Sequence, residues 1–367
     1  FLMLCMILVS CTGQKTGKEN DNNDKIAIEV GEIKFPPQDV LQLKSYYLSS
    51  SVHVDSIDYL IGYNYRLHSL DCMNLKSKSV TQIVLPGDGP DAIVRLSGIY
   101  AQSLDSVWIS DESERAFLID SVGTIKRMID LKKYLEDQEQ LLINTNYAMF
   151  TSHLFYNASR HSLMFLVKHT PSNTFIVKEA FIDEVGKMAT YQLSSSKVVP
   201  DMSKGYAYIN FPNVNFVGEN IVYNYPVESS IYMLDIRTNE RKYILADSHY
   251  TSNIIEKCTT SGDYATLEKH WLENSHFYDI MYLPKYKIYA RLHADKVDFD
   301  EKKGMEKLIN ERDLYLMLFD ENMEKIGETK LSNCRYSPFT SWNATYGGIA
   351  LFVDNVLDEK NNTDDLT

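Results

Sequence analysis

Cys11 is the residue whose neighbours point most clearly to a particular chemistry. The apolar stretch 1–9, FLMLCMILV, has the size of the hydrophobic region of a signal peptide and is too short to span a bilayer. Leu-Val-Ser then precedes the cysteine, as in a bacterial lipobox, where the thiol receives a diacylglyceryl group. Several acyl chains hold a protein firmly on a membrane. We expect residues 1–11 to be a signal-peptide remnant with its lipobox and Cys11 to be lipidated. A plain secretory signal is the alternative.

The other candidates for chemistry are weaker. His249, His270 and His276 form the closest group of histidines, but their spacing matches no standard metal-ligand pattern. The sequence contains neither a G-x-S-x-G nucleophile elbow nor a phosphate-binding G-x-x-x-x-G-K-[ST] loop. Glycoside cleavage needs two carboxylates close in space, and 50 acidic residues allow too many pairs for a choice. We therefore predict no catalytic residue, no metal and no cofactor, and lean away from an enzyme.

Three further cysteines lie beyond the signal region. Cys72, Cys258 and Cys334 are odd in number and widely spaced, so they form neither a disulfide framework nor a C-x-x-C metal site. We expect each to act as a small buried apolar residue. Whether any two of them pair is left open.

The charge balance limits the possible partners. Lys and Arg total 37 against 50 Asp and Glu, a net charge of -13. An acidic surface repels phosphate backbones, so nucleic acid is not expected as a partner. The 25 tyrosines suit the half-buried surface of β-strands.

One pattern recurs along the chain: an apolar strand that ends in aspartate, a short turn and another strand. The five aspartates are Asp71, Asp120, Asp183, Asp235 and Asp320. An aspartate in this position can accept a hydrogen bond from the backbone N–H two residues later, so we interpret all five as turn residues. Two more strands precede each unit, and four-stranded units repeated along a chain predict the antiparallel blades of a β-propeller.

The repeat defines the expected architecture. Five complete units occupy residues 44–331, and a sixth begins at residues 339–354 and lacks its later strands. We expect the early strand 26–35 to complete it. The prediction is an all-β, six-bladed β-propeller over residues 26–367 with a truncated last blade, preceded by a flexible tether at 12–25. A barrel or two sandwiches are the alternatives. Short helical insertions are predicted at 131–142, 266–273 and 300–310.

Three segments resemble a known group of proteins. They are SHFYDIMYLPKYKIYAR at 275–291, LPGDGPDAI at 85–93 and NYPVESSIYMLD at 224–235. With them the chain resembles the uncharacterised six-bladed β-propeller lipoproteins of Bacteroidetes. The resemblance implies a propeller in the cell envelope and no particular chemistry. Leu283 precedes the proline and Ala290 replaces a tyrosine of the pattern, so no role is carried over for that tyrosine.

The candidate ligand-binding residues are Tyr278, Tyr282, Arg291 and Trp342, since aromatic faces with one guanidinium suit a sugar or a peptide. Ordinary blade packing is the alternative role for them. We expect a non-enzymatic binding or interaction module for a glycan, a peptide or an envelope protein, with its site in the funnel of the ring. A propeller glycan hydrolase or lyase, and a structural subunit of an envelope complex, are the alternatives.

The expected location is the cell envelope, with the lipid anchor in a membrane, the outer membrane being the first expectation. Acidic residues directly after the lipidated cysteine can mark surface export in this group, and residues 12–15 contain none. A periplasmic position is therefore weakly favoured, and the surface is left open.

Overall fold

The computed structural model describes residues 3–10, 27–35, 43–146, 150–199, 206, 209–258 and 263–358. Its regular structure is almost entirely β, as expected for a β-propeller of antiparallel blades. The helices are α1 (Tyr264–Leu272), α2 (Met305–Asn310) and a 3-10 turn at Leu131–Tyr134. No helix in the described part of the chain is long and apolar enough to cross a membrane.

Three of the blades each pair four consecutive strands in chain order. The first blade contains β3 (Ser49–Val54), β4 (Ile57–Asn64), β5 (Ser69–Asn74) and β6 (Val80–Val84). The second contains β7 (Leu96–Ser103), β8 (Ser106–Asp111), β9 (Arg115–Ile119) and β10 (Ile125–Asp130). The fifth contains β22 (His276–Leu283), β23 (Ile288–Ala294), β24 (Leu314–Phe319) and β25 (Lys325–Lys330).

The third and fourth blades are interleaved in sequence. The third contains β11 (Glu139–Leu141), β14 (Phe155–Asn157), β15 (Ser162–His169), β16 (Thr174–Phe181) and β17 (Met188–Gln192). The fourth contains β18 (Asn213–Val217), β19 (Asn220–Asn224), β20 (Ile231–Asp235) and β21 (Arg241–Ile244). Between β11 and β14 the chain forms β12 (Asn144–Asn146) and β13 (Phe150–Ser152), which extend the fourth blade from its innermost strand, β18. We call β12 and β13 the axial hairpin.

A further sheet joins the two ends of the chain, and we call it the terminal sheet. It contains β1 (Met3–Ser10), β2 (Ala27–Lys34), β26 (Trp342–Ala344) and β27 (Ile349–Phe352), in the order β2-β1-β27-β26. The expectation of six blades is corrected to five, because the described C-terminal residues supply only β26 and β27. The residues assigned to the signal peptide form β1, whereas Cys11 and the tether lie outside the described residues.

Apolar side chains between neighbouring sheets form the core. Each sheet shares one hydrophobic cluster with the next, since a single four-stranded sheet cannot cover both of its own faces. Leu316 of the fifth blade and Leu351 of the terminal sheet share one cluster. Leu60 of the first blade and Phe352 of the terminal sheet share another. The terminal sheet is thus packed between the fifth and first blades.

Three of the five aspartates confirm their predicted role as turn residues. Asp120 Oδ1 accepts hydrogen bonds from the backbone N–H of Val122 at 3.1 Å and of Thr124 at 2.8 Å. Asp235 and Asp320 each accept from the N–H two residues later, at 2.8 and 2.9 Å. These carboxylates serve the backbone of the turn.

The carboxylates of the other two aspartates accept hydrogen bonds from side chains. Asp71 is fully buried inside β5, where its carboxylate accepts from the Tyr46 hydroxyl at 2.7 Å and from the side-chain amides of Asn64 and Gln82, each at 2.9 Å. Asp183 instead accepts from the Arg127 guanidinium of the second blade at 3.0 Å. The turn assignment is therefore wrong for Asp71, which lies in a strand, whereas Asp183 lies in a turn as predicted but its carboxylate bonds Arg127.

The predicted helix at 131–142 is also corrected. Only its first turn forms, as the 3-10 turn, and residues 139–141 become β11 on the inner edge of β15. A sheet edge offers unpaired backbone groups, and pairing with it outweighs a weak helical preference. Cys72, Cys258 and Cys334 are not joined by a disulfide.

A buried carboxylate ties the fourth blade to the fifth. Glu328 on β25 accepts from the Ser248 hydroxyl at 2.6 Å, the His249 N–H at 3.0 Å and Lys325 Nζ at 3.0 Å. His293 Nε2 lies 3.0 Å from Glu328 Oε1. Burial alone would raise the pKa of Glu328, but these hydrogen bonds outweigh it and lower the pKa to about 2.

We expect Glu328→Gln to remove a pH-dependent part of the stability. The folded pKa lies below the ordinary value of 4.5, so this contribution is present above that value and is lost as pH falls from 4.5 towards 2. The difference in free energy of unfolding between wild type and variant, measured by urea denaturation, should be largest near neutral pH and shrink in acid. Glu321→Gln, at an exposed position, is the control. A difference that is constant with pH would contradict the assignment.

Candidate functional site

A cavity of about 290 Å³ lies on the axis of the propeller, and we call it the axial cavity. Inner strands of all five blades and of the terminal sheet supply its walls. The polar and aromatic lining residues are Ser49, Ser50, Ser51, Tyr100, His153, Phe155, Asn215, Phe216, Tyr282 and Asn343. Gly218 and Pro284, at the turns that follow β18 and β22, also line it. The described lining residues include no Asp, Glu, Lys or Arg.

The axial hairpin occupies the opposite end of the axis. Its strand β13 is parallel to β18, and the Thr151 N–H donates to Asn213 Oδ1 at 2.8 Å. The Asn213 side-chain amide donates in turn to the Phe277 carbonyl of the fifth blade, also at 2.8 Å. The His153 N–H donates to the Val214 carbonyl at 3.3 Å. These bonds hold the hairpin in place and bring His153, the residue after it, to the cavity.

One buried carboxylate, that of Asp279, contacts both His153 and Trp342. Asp279 on β22 is fully buried, and its two oxygens have different partners. Oδ2 lies 2.8 Å from His153 Nε2, and Oδ1 accepts from the Trp342 Nε1–H at 2.8 Å. Because a carboxylate accepts, His153 carries its proton on Nε2 when neutral, and Nδ1 is then an acceptor. The His153 side chain is 19% exposed, and its Nδ1 has no protein partner within the described residues.

The polar wall is held by hydrogen bonds between neighbouring sheets. Ser50 Oγ of the first blade accepts from the Ala101 N–H of the second at 3.1 Å. The Ser51 hydroxyl donates to the Ala344 carbonyl of the terminal sheet at 2.5 Å. Asn343 Nδ2 donates to Ser49 Oγ at 2.6 Å. Side chains fixed in this way present hydroxyl and amide groups to the cavity with little freedom to move.

Tyr282 is the only one of the four candidate ligand-binding residues among those that line the axial cavity. Tyr278 and Trp342 are buried and border a separate cavity of about 20 Å³ between the fifth blade and the terminal sheet, large enough for one water molecule. Burial raises the pKa of Tyr278 to about 12. Trp342 contributes to the site indirectly, because its Nε1–H donates a hydrogen bond to Asp279.

Arg291 lies away from the cavity. It is fully buried, and its guanidinium donates to the Ser229 carbonyl at 2.5 Å and the Ala246 carbonyl at 2.9 Å. The group also lies over the Phe277 ring, 4.8 Å from its centre. Burial lowers the pKa of Arg291. In this position the guanidinium joins the fourth blade to the fifth and does not reach a ligand in the axial cavity.

Sequence reasoning missed His153, Asn215 and Asn343. His153 and Asp279 are 126 residues apart, and no spacing rule connects them. The recurrence of Ser and Asn in inner strands, where apolar residues would be expected, is the one signal the sequence offered. No three His, Cys, Asp or Glu side chains of the described residues cluster as a metal ion would require.

Comparison with known proteins now identifies the family. Residues 19–330 match the family model described as Domain of unknown function (DUF4221). The chain belongs to this family. The crystal structure of a DUF4221 member from Bacteroides vulgatus ATCC 8482 superposes with a TM-score of 0.69 at 14% identity, over 88% of this chain and 90% of that chain. That likeness supports the propeller fold.

The likeness to a second solved structure is weaker. A Bacteroides fragilis NCTC 9343 protein described as exported has a TM-score of 0.47 at 14% identity, over 81% of this chain and 74% of that chain. The comparison with curated proteins finds no match.

We expect Trp342→Phe to destabilise this DUF4221 protein by ~1–3 kcal/mol, because it leaves one oxygen of a buried carboxylate without its donor. Urea denaturation measures the change. Trp108→Phe is the matched control: Trp108 is equally buried, and its Nε1 has no hydrogen-bond partner among the described residues. Equal losses in the two variants would show that the bond to Asp279 contributes little.

Proposed function

We propose that this DUF4221 protein is a non-enzymatic binding module of the cell envelope, and that its axial cavity takes an uncharged ligand rich in hydroxyl groups, such as a terminal sugar unit of a glycan. The observation that carries the proposal is the lining of the cavity. It combines Ser, Asn and Tyr groups with aromatic rings and His153, and the described lining residues include no Asp, Glu, Lys or Arg.

The absence of charge among the described lining residues selects the class of ligand. A charged ligand moved from water into this cavity would find no counter-ion, and burial of an unpaired charge is costly. A sugar presents hydroxyl groups on its edges and C–H groups on its faces. The sugar hydroxyl groups match the hydrogen-bonding groups of Ser, Asn and His153, and the C–H faces match the rings of Tyr100 and Tyr282.

The size of the cavity favours a small ligand over a protein partner. Its volume of about 290 Å³ is near the lower end of the range for small-molecule sites. An envelope protein would need a broad surface, and a recessed cavity of this size does not offer one. A peptide would enter only by its terminus, and the charge there would have no partner among the described lining residues.

Hydrolysis of a glycan is less well supported than binding. Glycosidases use two carboxyl groups on either side of the scissile bond. The described lining of the axial cavity contains no carboxylate, and Asp279 behind it has its oxygens directed at His153 and Trp342. His153 alone could act as a base, which keeps a lyase as the second candidate. Product formation from a bound glycan would identify it.

We also propose that the terminal sheet closes the ring of five blades. The Ser341 N–H donates to the Tyr46 carbonyl at 2.9 Å, next to the first blade, and Trp342 bonds Asp279 of the fifth. Apolar clusters on its two faces pack the sheet against the fifth and first blades. Its inner strand β26 contributes Asn343 and Ala344 to the axial cavity.

The proposed ligand site is tested with a panel of neutral monosaccharides and their methyl glycosides, by isothermal titration calorimetry. Ala344→Trp should abolish binding by filling the axial cavity, and Tyr282→Ala should weaken it about tenfold by removing an aromatic face. Tyr264→Ala, an exposed tyrosine at the start of α1, is the control. Binding that survives Ala344→Trp would place the ligand elsewhere.

We propose that the protein is held on a membrane, with the outer membrane as the first candidate, through a lipid on Cys11. Metabolic labelling with a fatty-acid probe should mark the full-length protein and not the Cys11→Ala variant. Cleavage before Cys11 would also remove β1, so the intact mass of the mature protein decides whether residues 3–10 remain as a strand. Equal labelling of both proteins would refute the anchor.

A further inference from the structure

A second cavity, larger than the axial one, lies between the first and second blades. It measures about 840 Å³ and is lined at one side by Tyr47, Tyr63, Tyr65 and His68, and at the other by Gly87 and residues 93–96. We call it the interblade cleft. Its residues come from the segments before β3 and β7 and from the end of β4 and the turn that follows it. The two cavities share no lining residue.

Two tyrosines in the interblade cleft are about half exposed. Tyr47 is 55% and Tyr65 50% exposed, although both rings could pack in the core of a β protein. Both tyrosines line the cleft, and partial burial, together with the Asp354 carboxylate, raises the pKa of Tyr47. An exposed tyrosine offers a ligand both an aromatic face and a hydroxyl group.

Polar groups lie beside these rings. The Tyr63 hydroxyl lies 3.1 Å from His68 Nδ1. His68 Nε2 is shielded from solvent and has no hydrogen-bond partner among the described residues. A buried polar atom without a partner is costly, and an enclosed water molecule beside it would relieve that cost. The cleft thus combines aromatic faces with the hydroxyl of Tyr63 and the imidazole of His68.

The charge of the cleft is nearly balanced. Arg95 is its one cation among the described lining residues, and its Nε lies 3.6 Å from the Glu112 carboxylate. The whole chain carries a net charge of -13. A polyanion would be repelled by the protein, and a polycation would find no acidic residue among those that line the cleft.

We propose that the interblade cleft is a second binding site, for a neutral oligosaccharide that stacks on Tyr47 and Tyr65. The stacked faces supply affinity, and Tyr63, His68 and Arg95 donate or accept hydrogen bonds with sugar hydroxyls. An extended peptide fits less well, because peptides bind to sheets by pairing with an open strand edge. The cleft is lined mainly by strand ends and connecting residues. This site goes beyond the ligand proposed for the axial cavity.

The test is isothermal titration calorimetry of the full chain with four neutral hexasaccharides: maltohexaose, cellohexaose, chitohexaose and mannohexaose. A pool of random hexapeptides forms a separate arm. The double variant Tyr47→Ala/Tyr65→Ala should weaken hexasaccharide binding tenfold or more, whereas Tyr47→Phe/Tyr65→Phe should stay within about threefold because the rings remain. Tyr250→Ala, another exposed tyrosine, is the matched control and should change nothing.

The outcomes separate the two sites. Ala344→Trp blocks only the axial cavity and should leave cleft binding unchanged. If a hexasaccharide binds but the Tyr47/Tyr65 double alanine variant binds it equally well, the cleft proposal is overturned. The same holds if none of the four sugars binds the wild type, or if only the peptide pool binds through these tyrosines. Loss of binding in Ala344→Trp alone would support the axial site and refute the cleft. Thermal melting confirms that each variant is folded.

Discussion

The Asp279 carboxylate is the interaction on which the axial site depends. It is fully buried, and a buried carboxylate requires donors on both oxygens. Trp342 supplies one from the terminal sheet, and His153, next to the axial hairpin, lies beside the other. Three parts of the chain that are distant in sequence are held together at one group. This arrangement sets the orientation of His153, and therefore which of its ring nitrogens faces the axial cavity.

The same region explains how the ends of the chain meet. The terminal sheet takes strands from both ends and fills the space between the fifth and first blades with apolar side chains. Because every sheet depends on its neighbours to cover its faces, a gap at this point would expose the flanking clusters of the first and fifth blades. The hydrogen bonds of Ser341 and Asn343 to the first blade add direction to that packing.

The two cavities use the fold in different ways. Inner strands of every sheet line the axial cavity, so the ring itself positions its walls, and neighbouring side chains already occupy many of its polar groups. Two adjacent blades line the interblade cleft with tyrosines that are half exposed. The smaller axial cavity, of about 290 Å³, suits the end of a ligand, and the larger cleft, of about 840 Å³, suits the length of one. Arg291 was also a candidate ligand-binding residue in the sequence. Its guanidinium instead donates hydrogen bonds from the fifth blade to two backbone carbonyls of the fourth.

The sequence determined the repeated β unit, and with it the all-β propeller and the turns held by Asp120, Asp235 and Asp320, because these depend on residues within a few positions of each other. From the net charge of -13 it also predicts no charge-driven binding of nucleic acid, and this stays a prediction. Only the tertiary structure decided which side chains meet on the axis. His153 and Asp279 become partners because a hairpin leaves the third blade and joins the fourth. The sequence offered no way to choose among the candidate ligand-binding residues Tyr278, Tyr282, Arg291 and Trp342. Their burial differs because strand register and blade packing place each side chain in the core, at a cavity or against the backbone. The local sequence pattern determines where the strands lie, whereas the packing of the sheets around the axis determines which side chains line the cavity.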